Sequence, residues 1–418
     1  MLLWFRTLHS FLGSPWFVIP FITCYILLAL SPLAAAFAPG KMRGKMRILN
    51  NYWLGTLMYL LIFLLLADLV RVFYCLATHQ SLFSAIDANS LRITGGIIFS
   101  AVLLISIYGI SHAAHIKKTS YEVSVQKNAS IPELKIALVA DLHLGGSIGL
   151  KQMQRMKDVI DTIQPDLVVF AGDIFDNDFD AIQNPVEIAA LLASIDSTYG
   201  SFACWGNHDI DELILAGFTF DSGSDAIRSD PRMDQFLEDS GITLLQDETL
   251  LIDHSFYLIG RLDASCKKKS GIIRRSAKEL TTALRLDRPV IVIDHQPSEL
   301  DALADAHADL VLSGHTHDGQ LFPGNLTTRI GWKNSCGMIR IQDMTSIVTS
   351  GVGVWGPAMR IGTNSEVAEI TVHFAAPHAP LSREAKPQST QGSRLPRSQT
   401  PPAPAIPADR SKHAHLLS

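Results

Sequence analysis

The chain has 418 residues, a formal net charge of −5 and a hydrophobic fraction of 47%, with 18% charged residues. At about 150 residues per unit, the length suggests roughly three structural units. This composition excludes a small disulfide-stapled secreted protein, a collagen-like or disordered chain, and a nucleic-acid binder driven by net positive charge. Five Cys without a Cys-X-X-Cys pair argue against a zinc finger or a dithiol redox motif. The mean hydropathy of +0.21 is high for so charged a chain. The charges are also unevenly placed: 7 Lys/Arg stand against 2 Asp/Glu before Ile116, and 28 against 38 after it. An apolar, slightly basic head therefore precedes an acidic body.

In the head, Trp16–Ala38 is an uncharged run, and a hydrocarbon core of about 30 Å needs roughly 20 apolar residues. It reads as a first membrane span. A cleaved signal peptide is the rival reading, because Arg6 precedes the run and Leu33–Ala38 offers small residues to a peptidase. Two further spans are expected at Trp53–Ala77 and Ile93–Ala114. Lys41, Arg43, Lys45 and Arg47 lie between the first two, whereas the loop between the second and third holds only Asp87 and Arg92. The positive-inside rule then makes the 41–47 loop cytoplasmic and places everything after Ala114 on the same side. Cys204, Cys266 and Cys336 in the body fit a reducing compartment. Asp68 and Arg71 share a helical face inside the second span, where an unpaired charge costs about 3 kcal/mol, so they are expected to pair in a structural role.

After Lys118 short apolar runs alternate with helical patterns. Leu134–Ala140, Leu167–Ala171, Phe202–Trp205, Val290–Ile293 and Leu310–Ser313 read as buried strands. Helices are expected at Leu150–Ile163, Val186–Ile195, Pro231–Leu237, Ala277–Leu284 and Glu299–Ala306. This alternation indicates an α/β domain with a largely parallel sheet and its chemistry at the carboxyl ends of the strands. Extended pieces at Thr243–Ile252, Phe256–Ile259, Ser346–Thr349 and Val367–Phe374 suggest a second, more antiparallel portion. The organisation expected is a membrane region over 1–116, a domain over 117–374, and a tail over 375–418. With eight prolines and almost no aromatics, the tail reads as disordered.

The residues after the strands carry the chemistry. The first strand ends in Asp141-Leu-His143, the second in Gly172-Asp173, the third in Gly206-Asn207-His208-Asp209, the fourth in Asp294-His295 and the fifth in Gly314-His315-Thr316-His317. Asp141 and His143 lie two apart in what reads as an extended segment, so both point to one side and can chelate one ion. His315 and His317 repeat the spacing. The glycines before Asp173, Asn207 and His315 allow a tight exit from each strand. Imidazole mixed with carboxylate or amide oxygen suits Mn, Fe or Zn. No P-loop, Gly-X-Ser-X-Gly elbow or dinucleotide fingerprint is present.

These five motifs, in this order, resemble the calcineurin-like metallophosphoesterase family over Lys135 to about Phe374, and the spans ahead of them resemble a membrane-anchored bacterial branch of it. The resemblance implies an α/β/β/α fold of two packed β-sheets flanked by helices, with a dinuclear metal centre. It implies that Asp141, His143 and His317 hold the first metal, that Asn207, His295 and His315 hold the second, and that Asp173 bridges them. It further implies that His208 acts beside the substrate, with Asp209 orienting it. Where many relatives have Gly-His-Thr-His-Gly-Gly-Gln, this chain has Asp318 and then Gly319-Gln320. Asp318 either binds a water near the metals or points away.

The apolar stretch Leu213–Phe220 could overhang the centre, and Lys267, Lys268, Lys269, Arg274 and Arg275 could hold anionic headgroups. With the anchor, both suggest a lipid-linked phosphodiester or pyrophosphate as substrate; their plainer readings are a buried helix and a solvated loop. The expectation is a metal-dependent phosphoesterase of a bacterial inner membrane with its catalytic domain in the cytoplasm, with a phosphate-containing substrate and the membrane, but no nucleic acid, as partners. The alternative is a non-catalytic or regulatory metal-binding domain on a membrane anchor.

Overall fold

The structure is a computed structural model. It describes residues 15–31, 40–81, 88–176, 178–210, 213–215, 218–220, 230–266 and 273–375. The tail expected to be disordered lies outside these residues, except for Ala375 at the end of the last strand.

Three apolar helices open the described chain: α1 (Pro15–Ala29), α2 (Gly40–Thr78) and α3 (Ala88–Ala113). Within them, Gly44–Thr78 and Asn89–Ala113 are long and apolar enough to cross a membrane. α1 is a shorter apolar helix, and residues 32–38 of the first expected span lie outside the described residues. Leu65, Leu69, Val70 and Phe73 of α2 and Ile97, Phe99 and Leu104 of α3 are exposed. A helix with apolar side chains turned to its surroundings along most of its length reads as a membrane span. Asp68 and Arg71 pair at 3.1 Å.

Two six-stranded mixed sheets follow. The first contains β1 (Ile116–Asn128), β2 (Glu133–Val139), β3 (Leu167–Ala171), β4 (Ser201–Cys204), β7 (Ile242–Leu244) and β14 (Ser365–Ala375), in the order β1-β14-β2-β3-β4-β7. The second contains β8 (Glu248–Ile252), β9 (Phe256–Gly260), β10 (Val290–Ile293), β11 (Leu310–Ser313), β12 (Gly337–Ile341) and β13 (Met344–Val348), in the order β12-β13-β11-β10-β9-β8. A small hairpin of β5 (Leu213–Leu215) and β6 (Phe218–Phe220) stands apart. The expectation of a separate antiparallel portion is corrected by this pairing. β7 and β14 join the first sheet, which is parallel but for the β14–β2 pair, and β8, β9 and β13 join the second, whose parallel core is flanked by an antiparallel pair at each edge. A strand lacking an intervening helix can still be taken up by either sheet when two sheets face each other.

The two faces of each strand are sorted by the two-residue period of side-chain direction. Ile136 and Leu138 of β2, with Val169 of β3, meet Leu258, Ile291, Ile293, Leu310 and Leu312 of the other sheet in an apolar layer. Their neighbours Ala137, Val139, Val168 and Phe170 turn outward to Met153, Met156 and Ile160 of helix α4 (Leu150–Ile163). Val290, Val292 and Val311 of the second sheet turn to Ala277 and Leu280 of α7 (Ala277–Thr281) and to Leu300 and Leu303 of α8 (Leu300–Asp305). The result is the expected α/β/β/α stack. On the first sheet's side it also includes α5 (Pro185–Ala193) and α6 (Pro231–Asp239), whose Ile188, Leu192, Met233 and Phe236 share the outer cluster.

The apolar helices are joined to this stack. Asn51 Nδ2 donates to Ser147 Oγ at 3.0 Å, Arg47 pairs with Asp178 at 2.9 Å, and the Arg360 amide donates to the Gly109 carbonyl at 3.0 Å. The start of α2 and the end of α3 therefore lie on the side of the domain that bears the loops after the strands.

Candidate metal centre

The parallel strands β2, β3, β4, β10 and β11 all end at one rim, and each delivers its motif there. Asp141, His143 and His317 form one group of clustered ligand atoms, and Asp173, His295 and His315 form another. His143 Nε2 faces His317 Nε2 at 3.0 Å, and His317 Nε2 lies 3.6 Å from Asp141 Oδ1. In the second group, His295 Nε2 is 3.1 Å from Asp173 Oδ2, 3.2 Å from Asn207 Oδ1 and 3.2 Å from His315 Nδ1. His295 Nδ1 faces the Ala171 carbonyl at 2.8 Å, an acceptor that fixes the proton on Nδ1 and turns the Nε2 lone pair inward. Asp173 Oδ2 stands between the groups, 3.8 Å from His143 Nε2.

The backbone bends sharply to bring these atoms together. Asp141, His143, Asp173, His315 and His317 all have positive φ, between 47° and 74°, a region costly for side-chain-bearing residues. The expectation that Asp141 and His143 share a face of an extended segment is corrected here. β2 ends at Val139, and the chain beyond is a run of left-handed bends held by hydrogen bonds from the Asp141 amide to the Gly172 carbonyl and from the His143 amide to the Asp173 carbonyl, each 3.0 Å. Gly172, at φ 78°, and Gly206 make the rim possible. A Cβ on Gly172 would meet the His295 ring at 2.6 Å, and one on Gly206 would collide with Asp173 Oδ1.

Burial sets the charges. It drives the His143 imidazole down to about 3 and the His317 imidazole well below its usual value, so both are neutral ligands at pH 7. It also lifts Asp141 to about 7. Burial alone would raise Asp173, but the imidazoles of His295 and His208 take it well below the usual carboxylate range. His295 mirrors this: burial lowers it, yet Asp173 and Asp141 hold it well above 6.5. The donor set fits two ions, because carboxylates, an amide oxygen and neutral imidazoles crowd within hydrogen-bond reach of one another.

His208 stands beside the first group. Its amide donates to Asp173 Oδ1 at 2.8 Å, its ring lies edge-on to His143 at 5.0 Å, and its buried Nδ1 has no hydrogen-bond partner among the described residues. Asp209 does not hold that ring. Its oxygens accept from the Phe175 amide at 2.8 Å and the Gly206 amide at 2.7 Å, so it ties the loops after β3 and β4 together. Asp294, the carboxylate before His295, is taken by Arg261 at 2.8 Å and Arg274 at 3.1 Å. That pairing removes Arg274 from any cationic headgroup clamp, and the Arg275 amide and guanidinium are bonded to Asp247. Lys267, Lys268 and Lys269 lie outside the described residues. So do residues 216–217 of the apolar stretch, whose described parts pair as the β5–β6 hairpin. Asp318 belongs to none of the clustered groups among the described residues.

Two contributors escaped sequence reasoning. Asp176 forms a third group with His143 and His208, its Oδ1 3.9 Å from His143 Nδ1; the signal was a second carboxylate three residues after Asp173. The segment after β13 folds back over the rim, with the Gly353 amide on the Asp141 carbonyl at 2.8 Å. Buried Arg360 braces it, donating to the carbonyls of Ser350 at 2.5 Å and Gly353 at 2.9 Å and lying 3.3 Å from the His317 carbonyl. Gln320, the last residue of the fifth motif, clips the same segment, with its Nε2 on the carbonyls of Trp355 and Pro357 and its Oε1 on the Trp355 amide, each at 2.8 Å. The glycine-rich run Gly351–Gly356 was its sequence signal.

Residues 134–319 match the calcineurin-like phosphoesterase family. A zebrafish transmembrane protein with a metallophosphoesterase domain is 29% identical over 78% of this chain and 74% of its own length. A metallophosphoesterase of Helicobacter pylori is 29% identical over 56% of this chain, which spans 59% of that protein. The solved dimetal phosphatase of zebrafish superposes with a TM-score of 0.33 at 13% identity, over 59% of this chain and 100% of that one, a likeness too slight to inform this chain. With five motifs converging on one rim, residues 134–319 make up a calcineurin-like phosphoesterase domain, of the kind that hydrolyses phosphoester bonds with bound metal.

Proposed function

We propose that this chain is a membrane-anchored phosphoesterase with a dinuclear centre of Mn, Fe or Zn, and that its substrate is a lipid-linked phosphodiester, pyrophosphate or phosphate monoester. Asp173 carries the reading: its carboxylate stands between two ligand groups, 3.1 Å from His295 and 3.8 Å from His143. Asp141, His143 and His317 would hold one ion, Asn207, His295 and His315 the other, with Asp173 shared. When bound, two such ions supply Lewis acidity toward the phosphoryl oxygens and an activated water.

The chain's own residues then have distinct tasks. His295 Nδ1–H on the Ala171 carbonyl holds its ring in one tautomer. His208, with a buried Nδ1 open to a partner, gives a proton to the leaving oxygen or hydrogen-bonds the phosphoryl group. Arg360 and Gln320 keep the covering segment in place, which excludes water from one side of the rim.

The anchor is read as three spans, with Lys41, Arg43, Lys45 and Arg47 marking the cytoplasmic side of a bacterial inner membrane. The bond from Arg47 to Asp178 supports placing that basic segment and the domain on one side. A panel of soluble and micellar phosphomonoesters, phosphodiesters and pyrophosphates, with metal analysis of the purified protein, tests the reading. Hydrolysis by wild type and its loss in Asp173→Asn are expected; equal turnover by both would overturn the assigned centre, and faster turnover of soluble substrates would overturn the lipid-linked choice. A reporter fused after Ser418 reads sidedness.

A further inference from the structure

Just beyond the fifth motif lies helix α9 (Gly324–Gly331). Leu326 and Ile330 stand four residues apart on one face of the helix, and Phe322 lies just ahead of its first turn. All are exposed, Ile330 to 87%, and Arg329 is exposed beside them. Single exposed apolar residues need no explanation, but an aligned apolar row marks a contact surface.

What this row meets is indicated by its root. Tyr59 Oη of α2 donates to the Phe322 carbonyl at 2.8 Å. Leu321 packs with Tyr59, Met359 and Ile361 in a cluster that also takes in Met58, Ile62 and Phe63 of α2 and Ile105 and Ile110 of α3. The row thus continues directly from the domain-side end of the two apolar helices. The apolar run of α2 begins at Trp53, so Tyr59 lies six residues in, about 9 Å along the axis. A run of 25 residues exceeds the roughly 20 that span the hydrocarbon. The boundary therefore falls near Tyr59, the level at which tyrosine is favoured. Phe322, bonded to it, lies at headgroup depth. The other end of α9 touches the centre: the Trp332 ring lies edge-on to His315 at 5.1 Å.

We propose that Phe322, Leu326 and Ile330 make residues 322–330 an interfacial element, seated in the headgroup region of the bilayer that α2 and α3 cross. An exposed apolar row with a cationic side chain beside it suits such a seat. Given the phosphoesterase reading, which the seat itself does not require, the His315 side of the rim then faces lipid headgroups, and phosphate groups reach it from the membrane surface.

The test reads depth, not turnover, so it fails independently of the catalytic assignment. Nitroxide labels are placed at Leu326→Cys and Ile330→Cys in the full chain with exposed Cys24 and half-buried Cys336 replaced by Ala, reconstituted into mixed phosphatidylethanolamine and phosphatidylglycerol vesicles. A third label, at Leu251→Cys, is the aqueous reference. Leu251 is exposed and pairs with Tyr257 at the start of β9, the strand end opposite the metal rim. An unchanged melting temperature verifies each labelled fold. The expected result is a several-fold higher ratio of oxygen to nickel-chelate accessibility at 326 and 330 than at 251. A ratio equal to the reference overturns the proposal, as does protection from both reagents, which would mean that a protein, such as a second copy of this chain, covers the row.

Discussion

The layer between the two sheets and the rim where their strands end are built from the same strands, a few residues apart, by opposite rules. Inside, Ile136, Leu138, Ile291 and Leu312 alternate regularly and are fully buried, each contributing about 1.5–3 kcal/mol. At the rim, Asp141, His143, Asp173, His315 and His317 adopt left-handed backbone and crowd their ligand atoms, and burial and neighbouring charges shift the pKa values of Asp141, His143, Asp173 and His317. The core supplies stability, and the rim uses some of it to hold a strained, polar constellation that a single ion in each group would relieve.

If that division is right, changes at the rim should remove activity with little loss of stability, and changes in the layer the reverse. The largest effect is expected from Asp173→Asn, which should reduce phosphoester hydrolysis to the level of chelator-treated protein while urea unfolding of the metal-free form shifts little. His208→Ala should follow, lowering kcat by about 10²–10⁴-fold with metal content unchanged by elemental analysis; loss of metal would instead assign His208 to the ligands. Ile136→Ala, in the layer, should cost about 2–5 kcal/mol in denaturant unfolding yet leave kcat near wild type. A large fall in kcat there would show that core and rim are not separable.

The smallest effect is the pH dependence of metal loading. Asp141, lifted to about 7, is neutral below that pH and must ionise to bind a metal, whereas His143, lowered to about 3, is already neutral. Affinity should therefore fall as pH drops below 7, by about tenfold per unit for each proton released, and it should go on rising above 7, because His295, held well above 6.5 by Asp173 and Asp141, must also lose a proton to bind. Competition with a chelator across this range, and calorimetry in buffers of different ionisation enthalpy, would measure the proton count. A flat profile would mean that Asp141 is ionised before the metal arrives.

Much of this was legible in sequence because local rules govern it. β3, β10, β11 and α4 have the ends their apolar runs predict, since Gly-Asp, Asp-His and Gly-His cannot continue a buried strand. The five motifs announced themselves by recurring at strand ends, a position that pattern alone exposes. β1 was not read as a strand because its alternation mixes Lys, Thr, Ser and Glu with few apolar residues. It is a strand because parallel pairing with β14 supplies its hydrogen bonds. α9 was missed because two apolar residues, Leu326 and Ile330, are too few to establish a helical period over eight residues.

By itself the sequence determined the apolar head, the strand-helix alternation and the set of ligand residue types, because burial period, span length and donor chemistry are properties of neighbouring residues. Only the tertiary structure decided how those ligands divide. That Asp209 braces loops while Asp176 joins the rim, that Arg274 is held by Asp294, and that Arg360 supports a covering segment all depend on contacts between residues far apart in the chain. The direction of the pKa shifts at Asp141 and Asp173 was decided there too, since two Asp side chains of identical intrinsic acidity are driven apart by which buried charges the fold sets beside them.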